Sequence, residues 1–250
     1  MFNAKEIKKE FPILKRKVNG QNLHYLDNGA SSQKPIGVID AVKNCYLNEY
    51  SNVHRGLHFL SNLATENFEA VREKAKKFLG ASSEKEIIFT SGSTEGLNLI
   101  SYSWANENLV EGDEIILTTL EHHANIVPWH FLRQRKNINL SWVDPDENGN
   151  ISLGQIEEKI SQNTKMICFT HMSNVFGSTL NAREICKLLR SKGIVSVVDG
   201  SQAAAHMNIN VKDIDCDFYV ITGHKIFGPT GTGVLYIKED RLGEMIPFNG

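Results

Sequence analysis

From Glu86 onward the sequence alternates short apolar runs with helix-patterned stretches, and nothing else in it limits the fold as strongly. The runs are EIIFT, EIILTT, INLSWV, KMICFT, IVSVVD, DFYVIT and GVLYIK. Between most of them lie STEGLNLISYSWANE, NIVPWHFLRQRK, SLGQIEEKI and AREICKLLRSKG. Strands buried on both faces read as continuous apolar runs, and parallel strands need a long crossover, usually a helix. The alternation therefore predicts an α/β fold: a mostly parallel seven-stranded sheet with helices on both faces. The last two runs are joined by TGHKIFGPTGTG, which leaves no room for a helix. One edge or one strand is accordingly expected to run antiparallel.

Residues 1–80 read differently, as short helices around one short strand, LHYLD. In FLSNLATENFEAVREKAKKFLG, Leu60, Leu63, Phe68, Val71, Ala75 and Phe78 recur at three- to five-residue steps. That spacing predicts one long amphipathic helix, stopped by Gly80. The expected division is thus a helical segment over 1–80 and an α/β domain over 81–250.

Bulk properties exclude several classes. A net charge of -2 gives no general attraction to nucleic acid or to anionic membranes. No apolar run approaches the ~20 residues that span a bilayer. The N-terminus MFNAKEIKKEF lacks the apolar segment of a signal peptide. The expected location is the cytoplasm. Cys45, Cys168, Cys186 and Cys216 are scattered, with no CxxC, and read as reduced residues, most of them in the core.

Open α/β sheets place ligands beyond the carboxyl ends of their strands. The residues just after the runs are TSGSTEG, LEHHAN, THMSN, DGSQ and TGHK, rich in hydroxyl, amide, imidazole and amine groups. There is no GxxxxGK[ST], and GTG at 231–233 leads into a strand rather than a helix. A metal is not expected. His122 and His123 are adjacent and point apart in an extended segment, and HRGLH lacks the glutamate of HExxH.

Pyridoxal 5'-phosphate fits the set better. It needs a lysine for a Schiff base, a carboxylate at the pyridine nitrogen, a flat group on the ring and donors for the phosphate. Lys225 offers the amine, although most lysines are simply solvated. Asp199 closes the run IVSVV and offers the carboxylate, although a turn or cap role suits it too. Ser91, Gly92, Ser93 and Thr94 form a donor-rich turn before a helix, with Ser93 or Thr94 also able to serve as a plain N-cap. Either His122 or His123 can stack on a ring.

Seven stretches, YLDNGASSQKP, NVHRGLHFLS, TSGSTEGLNL, LEHHANIVPW, THMSNVFG, VVDGSQAAAH and DCDFYVITGHKIFGPTGTGVLY, also resemble a known family. They are similar to the class V aminotransferase-like, fold type I pyridoxal-phosphate enzymes, and among them to the SufS-type cysteine desulfurases. The resemblance implies that Lys225 carries the cofactor as a Schiff base and that Asp199 pairs with the pyridine nitrogen. It puts His122 over the ring and Gln202 on the phenolic oxygen. Ser93, Thr94, Thr222 and His224 fall to the phosphate, Asn174 to the substrate carboxylate and Gly29 to the substrate entrance. The family often has serine where this chain has Thr222, which keeps the hydroxyl.

The implied reaction takes L-cysteine to L-alanine and an enzyme persulfide for iron–sulfur cluster assembly. The implied partners are a second copy of the chain, with residues 1–80 contributing to the dimer contacts and the entrance, and a sulfur acceptor of the SufE or SufU type. The family continues into a smaller C-terminal domain carrying the nucleophilic cysteine and a carboxylate-clamping arginine. None of the four cysteines here matches that nucleophile, so the chain is expected to be a cofactor-binding fragment. L-Selenocysteine as substrate, another lyase or epimerase of the same class, and a non-catalytic dimerisation partner are the alternatives.

Overall fold

Each of the seven apolar runs forms one strand of a single sheet in the computed structural model, which describes residues 3–249. A small hairpin comes first, β1 (Lys17–Val18) with β2 (Gln21–Asn22), turned by Asn19 and Gly20 at positive φ. The sheet strands are β3 (Ile87–Thr90), β4 (Glu114–Thr118), β5 (Asn139–Val143), β6 (Thr164–Thr170), β7 (Val195–Asp199), β8 (Phe218–Thr222) and β9 (Gly233–Ile237). Their spatial order is β3-β9-β8-β7-β6-β4-β5. The pairs β4–β5, β4–β6, β6–β7 and β7–β8 are parallel. Strand β9 runs antiparallel to both of its neighbours, β8 and β3. The reversed strand is thus an interior one, because the loop after β8 brings the chain straight back beside it.

Two apolar layers hold the sheet. Ile115, Leu117 and Phe218 point into one layer, with Leu97, Trp104, Trp129 and Leu132 from the covering helices. Ile116 and Tyr219 point into the other, with Ile156, Ile185 and Leu189. Neighbours along one strand go to opposite layers, as the two-residue period of a strand requires. The helices Ser93–Leu99 and Val127–Lys136 cover the first face, and Leu153–Lys159 and Ala182–Ser191 the second. Each fully buried large aliphatic side chain contributes about 1.5–3 kcal/mol.

The N-terminal segment departs from expectation in one place. LHYLD forms no strand. Its apolar residues do not find a face: Leu26 is 94% exposed, and the Tyr25 hydroxyl donates to the Ser31 carbonyl at 2.7 Å, which folds the segment into turns. The long helix is present as Phe59–Leu79, and Gly80 ends it at φ 68 in the left-handed region that glycine favours. Its apolar stripe is incompletely covered, with Val71 51% and Phe78 48% exposed. All four cysteines are free. Cys168, Cys186 and Cys216 are buried and Cys45 is exposed. Among the described residues, no helix is long and apolar enough to cross a membrane.

Candidate active site at the strand ends

The carboxyl ends of β3, β4, β6, β7 and β8 open on one cavity of about 400 Å³. Gly29 and Ala30 of the N-terminal segment close another side of it. Of the residues singled out in the sequence, Gly29, Ser93, Thr94, His122, Asn174, Asp199, Thr222, His224 and Lys225 all line this cavity.

Lys225 ends a single helical turn, Gly223–Lys225, that follows β8 directly. The turn is tied at its base, where the Gly223 N–H donates to the Thr232 carbonyl at 2.8 Å. Burial draws the Lys225 pKa down from its ordinary value, and the Asp199 carboxylate pulls it partly back. A larger fraction of the amine is therefore unprotonated and nucleophilic than in a solvated lysine.

Asp199 is the last residue of β7 and is 4% exposed. One carboxylate oxygen accepts from the Ser201 N–H at 2.9 Å. Gly200 lets the chain turn at this point, because a Cβ there would stand 2.0 Å from the Tyr219 ring. The neighbouring strand thereby forces glycine between the carboxylate and the rest of DGSQ.

His122 opens the loop after β4. Its Nδ1 accepts from the Ala124 N–H at 3.1 Å, which leaves the ring proton on Nε2. Partial burial, then the Lys225 charge, draws its pKa down, so the ring is held neutral. His224 is drawn down in the same way, first by burial and then by Lys225 and Lys34. Thr222, the last residue of β8, is buried.

Ser93 and Thr94 start the helix after β3, following Gly92 at φ 155. The first turn of a helix has backbone N–H groups without intrahelical partners and carries the positive end of the helix dipole. The Ser91 N–H is already taken by the Glu95 carboxylate, which the contact holds below the usual carboxylate range.

Gln202 lies apart from this set. Its side-chain nitrogen donates to the Gly29 carbonyl at 2.7 Å, and it lines a second cavity, of about 590 Å³, that shares Lys225 with the first. That bond uses one of the two N–H groups of its amide and leaves the other to donate.

Two residues of the neighbourhood escaped the sequence reading. Ser201 lines the cavity, and its buried hydroxyl has no partner. Glu121 is 8% exposed and accepts from the Thr118 hydroxyl, from the Asn125 amide at 2.7 Å and from the Thr170 N–H at 2.8 Å. Burial, with the Asp199 charge added, outweighs these donors and pushes its pKa up to about 8. The available signal was its position, between an apolar strand and the histidine pair.

The chain is similar to known proteins in sequence and in fold. A probable cysteine desulfurase of Halalkalibacterium halodurans is 46% identical over 258 residues, covering 100% of this chain and 64% of that protein. A cysteine desulfurase of Salmonella newport is 45% identical, again over 100% of this chain and 61% of its own length. The chain thus spans under two thirds of the length of these curated relatives. The crystal structure of the Escherichia coli cysteine desulfurase CsdA superposes with a TM-score of 0.88 at 34% identity, over 100% of this chain and 61% of that one. The apo cysteine desulfurase of Thermococcus onnurineus NA1 does so at 0.92 and 35%, over 99% and 60%. The sequence also matches the class-V aminotransferase family over residues 24–250, a span holding every strand of the sheet and every wall of the cavity. The chain belongs to the class-V aminotransferase family.

Proposed function

We propose that this chain is the cofactor-binding part of a pyridoxal-phosphate-dependent cysteine desulfurase of the SufS type. The observation that carries the reading is the pairing of Lys225, with its lowered pKa, and buried Asp199 in one cavity with the helix start at Ser93.

The residues fit the cofactor. An amine, a buried carboxylate, a helix N-terminus and the unpartnered Ser201 hydroxyl meet in a space of about 400 Å³. Lys225 would hold the cofactor covalently, and Asp199 would pair with its ring nitrogen. Ser93, Thr94, Thr222 and His224 would take the phosphate, and His122 would stack on the ring. Asn174 orients the substrate carboxylate at an entrance bordered by Gly29. When bound, pyridoxal phosphate supplies an electron sink for charge developing beside the substrate nitrogen. His122, neutral and donating through Nε2, positions without adding a second cation beside Lys225.

The substrate proposed is L-cysteine. A thiolate attacks the substrate sulfur, the C–S bond breaks, and its electron pair with a proton completes L-alanine. The sulfur stays on the attacking thiol as a persulfide, for transfer to an acceptor protein in iron–sulfur cluster assembly. No cysteine is among the cavity-lining residues. Burial raises the thiols of Cys168 and Cys216 well above their ordinary value and pushes Cys186 up to about 12, so they hold little reactive thiolate. The attacking thiol is therefore proposed to lie outside these residues. The active unit proposed is a homodimer, supported by the apolar side chains left open along the N-terminal segment.

Titrating the purified chain with pyridoxal phosphate tests the reading. The expected result is a visible absorbance that borohydride bleaches while fixing the cofactor onto Lys225, and that is absent in Lys225→Ala. A folded chain without that absorbance overturns the cofactor assignment. Persulfide formation from L-cysteine by the 250 residues alone overturns the external thiol.

A further inference from the structure

We propose that the Ser32 hydroxyl is a spacer inserted into the turn that carries Lys225, and that it positions the lysine amine in the cavity. The inference rests on the cofactor reading for its binding test only. Its geometry stands without it.

Ser32 is 5% exposed and lies in the N-terminal segment. Its hydroxyl donates to the His224 carbonyl at 2.9 Å and accepts from the Phe227 N–H at 2.9 Å. His224 and Phe227 stand at i and i+3, the two residues whose C=O and N–H a β-turn joins directly. Here they are joined through an oxygen supplied from 192 residues upstream. Lys225 and Ile226 are the residues held between the two contacts.

The same carbonyl receives two more donors, the Ser32 N–H at 3.0 Å and the Lys34 ammonium at 3.0 Å. Lys34 also donates to the Ser32 carbonyl at 2.6 Å. A carbonyl has two lone pairs, so three donors fix it more firmly than a turn hydrogen bond does. On the far side of the turn, Phe227 sits at φ 69, a conformation a bulky residue adopts only when its surroundings impose it. The Gly228 N–H donates to the Gly223 carbonyl at 2.8 Å, the bond that holds such a residue left-handed at a helix end, and the Phe227 N–H contact to Ser32 stands in for the companion bond to the His224 carbonyl. Its ring is held separately, edge-on to Phe11 with centroids 5.8 Å apart.

Without the hydroxyl the Phe227 N–H loses its partner, while the His224 carbonyl keeps the Ser32 N–H and Lys34 and is the acceptor that a helix end of this kind offers to it. Closing that bond tightens the turn with Phe227 kept at positive φ. The amine between them then shifts. A displacement of about 1 Å is enough to matter for a bond-forming group.

Two experiments test the proposal. Crystal structures of the cofactor-free chain and of Ser32→Ala are compared first. The expected change is a direct His224 C=O to Phe227 N–H bond, with Phe227 still at positive φ and the Lys225 backbone displaced. An unaltered turn overturns the proposal, whatever becomes of the cofactor reading. Pyridoxal phosphate binding is then measured for the parent, Ser32→Ala, Lys225→Ala and the double variant. Ser32→Ala is expected to raise the half-saturating concentration about tenfold where Lys225 is present and to leave it unchanged in the Lys225→Ala background. Ser32→Thr, which keeps the hydroxyl, is expected to restore the parent value. Equal weakening in both backgrounds overturns the proposal, since it places the effect on the phosphate site or the fold. Lack of lysine-linked absorbance in the parent itself is instead a failure of the cofactor reading.

Discussion

Glu121 and Asp199 are two carboxyl groups in one buried neighbourhood, and both cannot ionise there without cost. Glu121 holds the proton, with burial and then the Asp199 charge pushing its pKa up to about 8. Cys168 behind it and Asp199 in front are the groups its charge acts on. A carboxyl raised in the folded state holds a proton that the unfolded chain releases above its ordinary 4.5. Its contribution to stability is therefore full below 4.5 and falls as pH rises toward about 8. Glu121→Gln removes the titration and should flatten the fall in unfolding free energy, read from urea curves between those limits, by up to about 5 kcal/mol. An unchanged slope would mean that Glu121 is ionised at neutral pH. The residue was illegible in the sequence because acids that start loops are normally solvated. Lys225 and Asp199 were legible because each closes or follows a run too apolar to be exposed. The Gln202 amide also donates to a carbonyl 173 residues away, a contact that no local pattern announces.

At the scale of elements, the crossing of β9 over the start of the helix after β3 shapes the cavity floor. A Cβ on Gly233 would stand 2.6 Å from the Gly92 Cα, 2.8 Å from its carbonyl carbon and 2.9 Å from its nitrogen. All three are backbone atoms, so no side chain can swing aside. Gly233→Ala should cost about 1–3 kcal/mol by urea unfolding. It should also weaken cofactor binding, because the helix start at Ser93 has to move. Full stability in that variant would show that the crossing relaxes freely. The seven strands were readable because burial on both faces leaves only apolar runs. The reversal of β9 was readable from the short loop before it, but its place between β8 and β3 was not, since strand order is set by packing. LHYLD has a strand-like composition, but its backbone bonds are one from the Leu23 N–H to the Arg16 carbonyl at 3.1 Å and a turn closed on the Asp27 carbonyl, which build no ladder.

Over the whole molecule, apolar exposure is uneven. Tyr46 (71%), Leu47 (68%), Leu57 (102%) and Phe59 (75%) stand open in the N-terminal segment, while the α/β core is closely filled. Clustered exposure of this kind marks a surface that is covered in the working assembly. A self-complementary patch joins two copies by a twofold axis. Sedimentation should give a dimer for the parent and a shift toward monomer for Leu57→Glu with Phe59→Glu. A parent that is monomeric at micromolar concentration would overturn this assignment. The sheet order has a different consequence. Strand β3, which leads into the Ser93 turn, pairs only with β9, Thr90 opposite Gly233. On the ribosome, the first sheet strand to emerge must wait for the last before it has a partner. Until then the chain carries an unpaired edge of the kind that recruits strands from other molecules. The cavity wall at the Ser93 turn is thus both the earliest part of the sheet to be made and the last to be set in place, and growing chains are most exposed to chaperones and to aggregation in that interval.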